Sequence, residues 1–272
     1  MQIVEANGAR IPLVGLGTWD LRGKICARMV EEALKLGYRH IDTAAMYDNE
    51  SAVGEGLRAS GVPRDEVFIT TKVWQCDLAA RDFERSTKAS LAKLKLAAVD
   101  LLLIHWPNSR IPLAETIGAL CKMKREGLAR HIGVSNFTVE LIAQAVKLST
   151  ERLVCNQIEC HPFLDQSKVI AASRKQGMAV TAYSPIARGS AKDDALLTRI
   201  GKAHGKSAAQ ICLRWLVQQN IVVIPRTSKP ERLRENFSIF DFELSAAEMK
   251  QINVLSNPSG RIVDWSESPK WD

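Results

Sequence analysis

Eight short apolar runs recur along the chain, and amphipathic stretches of helical period separate them. The runs are Leu13–Gly17, Tyr38–Thr43, Val67–Val73, Val99–Trp106, His131–Ser135, Val154–Glu159, Ala179–Ser184 and Val222–Pro225. Their midpoints lie roughly 24 to 32 residues apart, and over 40 at the last gap, which is room for a strand, a loop, a helix and a loop. The stretches between them carry helix signals. Cys26–Leu36 puts Met29, Val30, Ala33 and Leu34 on one stripe and stops at Gly37. Ser207–Gln210 and Ser245–Glu248 have capping-box spacing. Pro112 opens a helix that ends near Gly127. Strict strand–helix alternation predicts a parallel sheet covered by helices, and eight units predict a closed (β/α)8 barrel; an open doubly wound sheet is the alternative.

Two pieces lie outside this period. Gln2–Val4 and Arg10–Pro12 around Asn7-Gly8 predict a β-hairpin that plugs or flanks one barrel end. Ser256–Asp272, which holds Trp265 and Trp271, predicts an ordered loop lying over a surface at the barrel mouth. No linker or low-complexity segment interrupts the chain, so residues 1–272 are expected to form one domain.

Composition narrows the function classes. The balance of 37 Lys+Arg against 30 Asp+Glu gives +7, yet the charges are interspersed and no basic run reaches five residues. That argues against a nucleic-acid face and leaves room for steering a small anion. No apolar run approaches the ~20 residues of a membrane helix. The N-terminus has neither a basic nor an apolar leader region, so a cytoplasmic location is expected. The 6 cysteines lack the spacing of a disulfide scaffold and read as reduced thiols. The histidines (His40, His105, His131, His161, His204) show no ligand spacing, and Cys155 and Cys160 fall on opposite strand faces, so no metal is expected.

The ends of the runs are polar although their bodies are apolar. Parity places Thr70 and Lys72 on one face, and Leu101, Leu103 and His105 on one face. If these faces point inward, Asp42, Lys72 and His105 converge at one barrel mouth with Tyr47 close by. Taken singly, each could be a rim ion pair or a satisfied core group; three together at successive strand ends, with Tyr47 nearby, suggest chemistry. A phenol has a pKa near 10. A lysine ammonium beside it favours the phenolate, a carboxylate keeps the lysine charged, and an imidazole can orient a carbonyl oxygen. The set suits proton delivery to a carbonyl oxygen as hydride reaches the carbon, with the hydride drawn from a cofactor.

The cofactor site is not of the open-sheet kind. Gly54-Glu-Gly56-Leu-Arg-Ala59 matches G-x-G-x-x-A but falls inside a helical stretch. Ser135, Asn136 and Gln157 could instead bond a carboxamide, and Tyr183 could stack on a nicotinamide ring. Arg226, Thr227, Ser228 and Arg232 cluster where the last run meets a helix N-terminus, which is an anion site by type. By spacing alone, Arg226 and Arg232 could equally pair with Glu231 and Glu235. Trp19, Trp74 and Trp106 stand at the mouths of the first, third and fourth strands; Phe137 and Trp265 could close the pocket they wall. Trp215 reads as core, and Ile186–Asp194 as a lid.

With these motifs the chain resembles the aldo-keto reductases, from the hairpin to the last helix. Gly15-Leu-Gly17-Thr18-Trp19, Asp42-Thr43-Ala44 with Tyr47, Lys72, Leu103–Pro107, Gly133–Phe137, Asn156-Gln157, Tyr183–Pro185 and Ile224–Thr227 stand in that family's order. The short chain and its ending are similar to the bacterial 2,5-diketo-D-gluconate and methylglyoxal reductase branch. The resemblance implies a monomeric (β/α)8 barrel that binds NADPH without a Rossmann domain and reduces small aldehydes, ketones or keto-sugar acids. It implies Tyr47 as general acid, Lys72 as its partner, Asp42 as the group holding Lys72, and His105 as the carbonyl-orienting residue. Ser135, Asn136 and Gln157 would hold the carboxamide and Tyr183 the nicotinamide. Thr18, Asp42 and Ser184 would belong to the same nucleotide set. Arg226, Thr227, Ser228 and Arg232 would take the 2′-phosphate, with Glu235 and Asn236 at the adenine. Arg226 stands where the family usually has lysine, and the loop Asn108–Arg110 is short, which disfavours bulky steroid-type substrates. Two alternatives remain at this level: a Schiff-base aldolase using Lys72, and an NADPH-binding sensor without turnover.

Overall fold

The structure is a computed structural model that describes residues 2–272. Strands β1 (Ile3–Ala6) and β2 (Ala9–Pro12) form the expected antiparallel hairpin. Asn7, left-handed in its turn, donates to Leu153 O and Gln176 O, so the hairpin flanks the N-terminal end of the barrel. The barrel strands are β3 (Leu16–Gly17), β4 (His40–Asp42), β5 (Phe68–Val73), β6 (Val99–Ile104), β7 (Ala129–Ser135), β8 (Leu153–Glu159), β9 (Ala179–Tyr183) and β10 (Val222–Val223). Among the described residues they form one eight-stranded sheet in sequence order, parallel throughout. Parallel bridges Val14–Val223 and Gly17–Arg226 bring its two edges together, with Gly15 N to Val223 O at 2.8 Å. Closure removes the edges and selects the barrel over the open sheet.

Ten helices among the described residues cover the barrel: α1 (Gly23–Lys35), α2 (Glu50–Ala59), α3 (Ala80–Leu94), α4 (Leu113–Arg125), α5 (Val139–Leu148), α6 (Ser167–Lys175), α7 (Ala195–His204), α8 (Ala208–Val217), α9 (Pro230–Phe237) and α10 (Ala246–Asn253). In α1 the predicted stripe is buried, and the chain leaves the helix through Gly37 at φ 108°. Both predicted capping boxes form, at Ser207 and Ser245. Trp215 is buried in α8. Gly54 and Gly56 lie within α2, where an added Cβ would overlap Leu94 O and Ala27 O. These glycines let α2 approach α1 and α3 closely, which accounts for the G-x-G-x-x-A pattern as packing.

Several predicted runs form shorter strands, with Tyr38–Thr43 narrowing to β4 and the first and last runs narrowing to two residues each. Leu13–Gly17 narrows to β3, although Leu13 O still accepts from Val223 N. Val222–Pro225 narrows to β10, because Pro225 has no N–H to extend the ladder. No described helix is long and apolar enough to cross a membrane.

Candidate active site

The C-terminal ends of β4, β5 and β6 carry a buried polar cluster. Asp42 ends β4, and Lys72 stands one residue before the end of β5. Tyr47 closes a 3-10 turn, Ala45–Tyr47, that follows β4 directly. Lys72 Nζ donates to Asp42 Oδ1 at 2.5 Å, Thr43 O at 2.8 Å and Tyr47 OH at 3.4 Å. Three protons thus meet three acceptors, on a side chain with no exposed surface. The second oxygen of Asp42 accepts from Gln157 Nε2 at 2.7 Å. A buried ion pair is tolerable only when the remaining donors and acceptors are filled in this way.

Electrostatics gives the members distinct states. Burial works against the Lys72 ammonium, but Asp42 and Tyr47 outweigh it and hold the lysine above its ordinary pKa. Burial raises Tyr47; the pull of Lys72 opposes that and does not overcome it. This corrects the expectation of a lowered phenol: the lysine acts with the expected sign, yet desolvation is larger. Burial, with Lys72 adding to it, holds His105 well below the usual imidazole range. The resting site is therefore a phenol, an ammonium and a neutral imidazole. His105 follows β6 and lies edge-on to Tyr47, with ring centroids 5.5 Å apart.

The opposite strand ends form a linked amide and hydroxyl set. Asn136, left-handed at φ 62°, donates to His105 O at 2.9 Å and to Ser135 Oγ at 3.1 Å. Tyr183 OH donates to Asn136 Oδ1 at 2.8 Å, and Ser135 Oγ donates to Gln157 O at 2.8 Å. Ser184 follows at φ 49°. Asn156 faces away from this set and bonds Phe137 O. Thr18 N and Oγ1 both donate to Asp42 O.

Beyond β10 the side chains of Arg226, Ser228 and Arg232 are exposed and that of Thr227 is buried. Arg226 donates to Trp19 O at 3.2 Å and reaches Asp20 Oδ2 at 3.3 Å, so its carboxylate partner is neither Glu231 nor Glu235. Thr227 Oγ1 accepts from Lys229 N and leads into α9, with exposed Ser228 and with Arg232 on the first turn. Glu235 accepts from Ser207 Oγ, and Asn236 is buried.

Three tryptophans of the proposed wall, Trp74, Trp106 and Trp265, lie together. Trp74 stacks on Trp265 at 5.5 Å and meets His105 at 5.0 Å. Trp106 meets Trp265 at 5.5 Å and Trp271 at 6.0 Å. Phe137 instead belongs to the buried core at 1% exposure. Trp19 is half-exposed with Arg188 5.3 Å from its ring. Arg188 belongs to the expected lid segment, which forms a kinked 3-10 stretch, Ala187–Asp193. Among the described residues, no group of three His, Cys, Asp or Glu could hold a metal ion.

Several supporting residues carry no mark in the sequence. Asn49 is buried and donates to Thr18 O and Leu21 O while accepting from Thr43 Oγ1, bracing the turn that carries Tyr47. Asp20 meets Arg226, Arg188 meets Trp19, Trp271 meets Trp106, and Glu159 meets Ile262 and Val263, all across long sequence separations. No local pattern could have singled them out.

Comparison with known proteins adds the family. The model of the aldo/keto reductase family matches residues 13–257. A methylglyoxal reductase, DkgB of Escherichia coli O157:H7, is 40% identical over 96% of this chain and 99% of its own. A crystal structure provisionally named a 2,5-diketo-D-gluconic acid reductase B superposes with TM-score 0.98 at 48% identity, covering 100% of this chain and 98% of that one. An aldo-keto reductase of Bombyx mori in complex with NADP gives TM-score 0.90 at 36% identity over 97% of this chain and 95% of that one.

Proposed function

The chain belongs to the aldo/keto reductase family, and from that premise we propose that it reduces small aldehydes, ketones or keto-sugar acids to alcohols with NADPH. The observation that carries this reading is the buried Lys72–Asp42 pair whose third acceptor is the Tyr47 hydroxyl. The relatives named for methylglyoxal and diketogluconate reduction, and the NADP-bound neighbour, support the same substrate and cofactor classes.

The residues present suit such a nucleotide. Ser135, Asn136 and Gln157 offer amide and hydroxyl groups for the carboxamide, and Tyr183 offers a ring for the nicotinamide face. Thr18, Asp42 and Ser184 complete that end. Arg226, Thr227, Ser228 and Arg232 bring two guanidinium groups and two hydroxyls to the start of α9, a donor set for a 2′-phosphate. Glu235 and Asn236 follow on the same helix for the adenine. When bound, the reduced nicotinamide supplies hydride to the carbonyl carbon.

The chain's own residues handle the proton. Tyr47, held as a phenol by burial, donates its proton to the carbonyl oxygen. Lys72 then faces the phenolate left behind, and Asp42 keeps the ammonium charged and in place. Neutral His105 donates a hydrogen bond that orients the carbonyl. Trp74, Trp106 and Trp265 exclude water around a small apolar body. An aldolase reading fails on the same geometry, because a lysine held as an ammonium with its three protons bonded is not a nucleophile.

Replacing Tyr47 with Phe tests the assignment. Turnover of methylglyoxal, aromatic aldehydes and keto-sugar acids should fall by about 10³-fold, while NADPH affinity stays within about twofold. Unchanged turnover would overturn the role of Tyr47. A wild-type protein that binds NADPH tightly and oxidises it with none of the panel would favour the sensor.

A further inference from the structure

The C-terminal segment is ordered over the barrel mouth without a core of its own. Beyond Ile252 no residue is fully buried, and Trp265 is 38% exposed. Apolar burial alone therefore does not fix its path; hydrogen bonds must. Among the rim contacts, Glu267 with Arg110 and Asp272 with Val139 N are exposed, while the second oxygen of Glu267 accepts from Gln75 Nε2 in a half-buried contact. Exposed contacts of this kind contribute little.

One contact differs. Glu159, the last residue of β8, is 0% exposed, and both its carboxyl oxygens accept from the segment's backbone. Oε1 accepts from Ile262 N at 2.8 Å, and Oε2 accepts from Val263 N at 2.9 Å. His161 Nε2 is 2.9 Å from Oε1 and steadies the group from its other side. Just before this grip the segment crosses the chain closely, with a bridge between Leu164 and Asn257 and with Gly260 placed where a Cβ would overlap Phe163 O. Two residues after the grip comes Trp265, stacked on Trp74.

We propose that Glu159 is a positioning residue for the substrate pocket: by gripping the Ile262 and Val263 amides it sets Trp265 against Trp74 and Trp106 and so governs carbonyl-substrate affinity. The anchoring stands on geometry alone, and its consequence for turnover rests on the reductase reading above. The grip touches neither Tyr47 nor the arginines of α9. Glu159 pairs with Tyr183 through backbone alone, so loosening the grip acts on KM and leaves the proton-delivering cluster and the 2′-phosphate end alone.

Amide exchange in the wild-type protein is the first test. Ile262 and Val263 should exchange at least about 100-fold more slowly than the exposed amides of Glu267 and Lys270; equal rates overturn the anchor. The second test is Glu159→Gln. Trypsin should cleave after Arg261 about tenfold faster, and KM for an aromatic aldehyde should rise about tenfold, with kcat and NADPH affinity within about twofold. Wild-type cleavage rates in a folded variant overturn the anchor, and faster cleavage with unchanged KM overturns its role in the pocket. Should Glu159→Gln fail to fold, Gly260→Ala displaces the segment with Glu159 intact, and the same cleavage and KM readings decide. Cleavage and exchange need no turnover. A protein that reduces no aldehyde would overturn the reductase reading while these measurements still judged the anchor.

Discussion

The two ends of the barrel mouth are built on different terms. At the β4–β6 end, Asp42, Lys72 and His105 are buried and tightly interlocked, and Tyr47 hangs on a turn braced by Asn49. At the α9 end the arginines are exposed, and Arg226 lies against the carbonyl and carboxylate of the Trp19-Asp20 turn. The contrast follows from solvation. A charge taken out of water has to be matched by the fold before any ligand arrives, whereas an exposed guanidinium loses little by waiting. The chemistry end is therefore preorganised, and the anion end is completed by what it binds.

After Tyr47→Phe, the largest effects should come from the buried end. Asp42→Asn leaves the Lys72 ammonium without its counter-charge, and unfolding by urea should show a loss of about 3–5 kcal/mol. A loss below about 1 kcal/mol would mean that the cluster is less dry than its geometry indicates. His40, buried beneath the cluster and bonded to Thr70 Oγ1 at 3.1 Å, extends the same logic to pH. Burial pushes its imidazole down to about 4. Between that value and the ordinary ~6.5 the unfolded chain binds a proton that the folded one refuses, so stability falls as pH drops through this window. The contribution is about 3 kcal/mol by pH 4, and His40→Asn should flatten that part of the stability curve.

The exposed end should respond more weakly and only to the ligand. Arg232→Ala should weaken NADPH about tenfold and NADH less than twofold, with stability changed by under about 0.5 kcal/mol. Equal losses for the two nucleotides would remove Arg232 from the 2′-phosphate site. The smallest effect concerns Asp20. Releasing Arg226 through Asp20→Asn should tighten NADPH about twofold, as expected for an exposed ion pair. A weakened affinity would instead show that Asp20 holds Arg226 in its binding position.

Much of the architecture was legible in local pattern. Eight runs at nearly even spacing became eight parallel strands, and Ser207 and Ser245 became capping boxes in place. Parity along the chain put Lys72 and His105 at the ends of neighbouring strands. The state of the phenol was not legible. The sequence shows that a lysine can stand near Tyr47, but the sign of the net shift depends on how deeply the pair is buried. The reach of Trp19 and Phe137 was equally hidden: one turns toward Arg188, and the other sinks into the core.

What the chain determines by itself is therefore periodic or local: strand spacing, helix caps, which face of a strand is polar, and the residue types gathered at each strand end. Tertiary structure alone decided which groups share a proton, how far solvent is excluded from them, and what holds the C-terminal segment. The reason is physical. Period and capping act over a few residues of backbone, whereas the grip of Glu159 on Ile262 spans 103 residues. The desolvation of Tyr47 and Lys72 is likewise a property of the closed barrel around them.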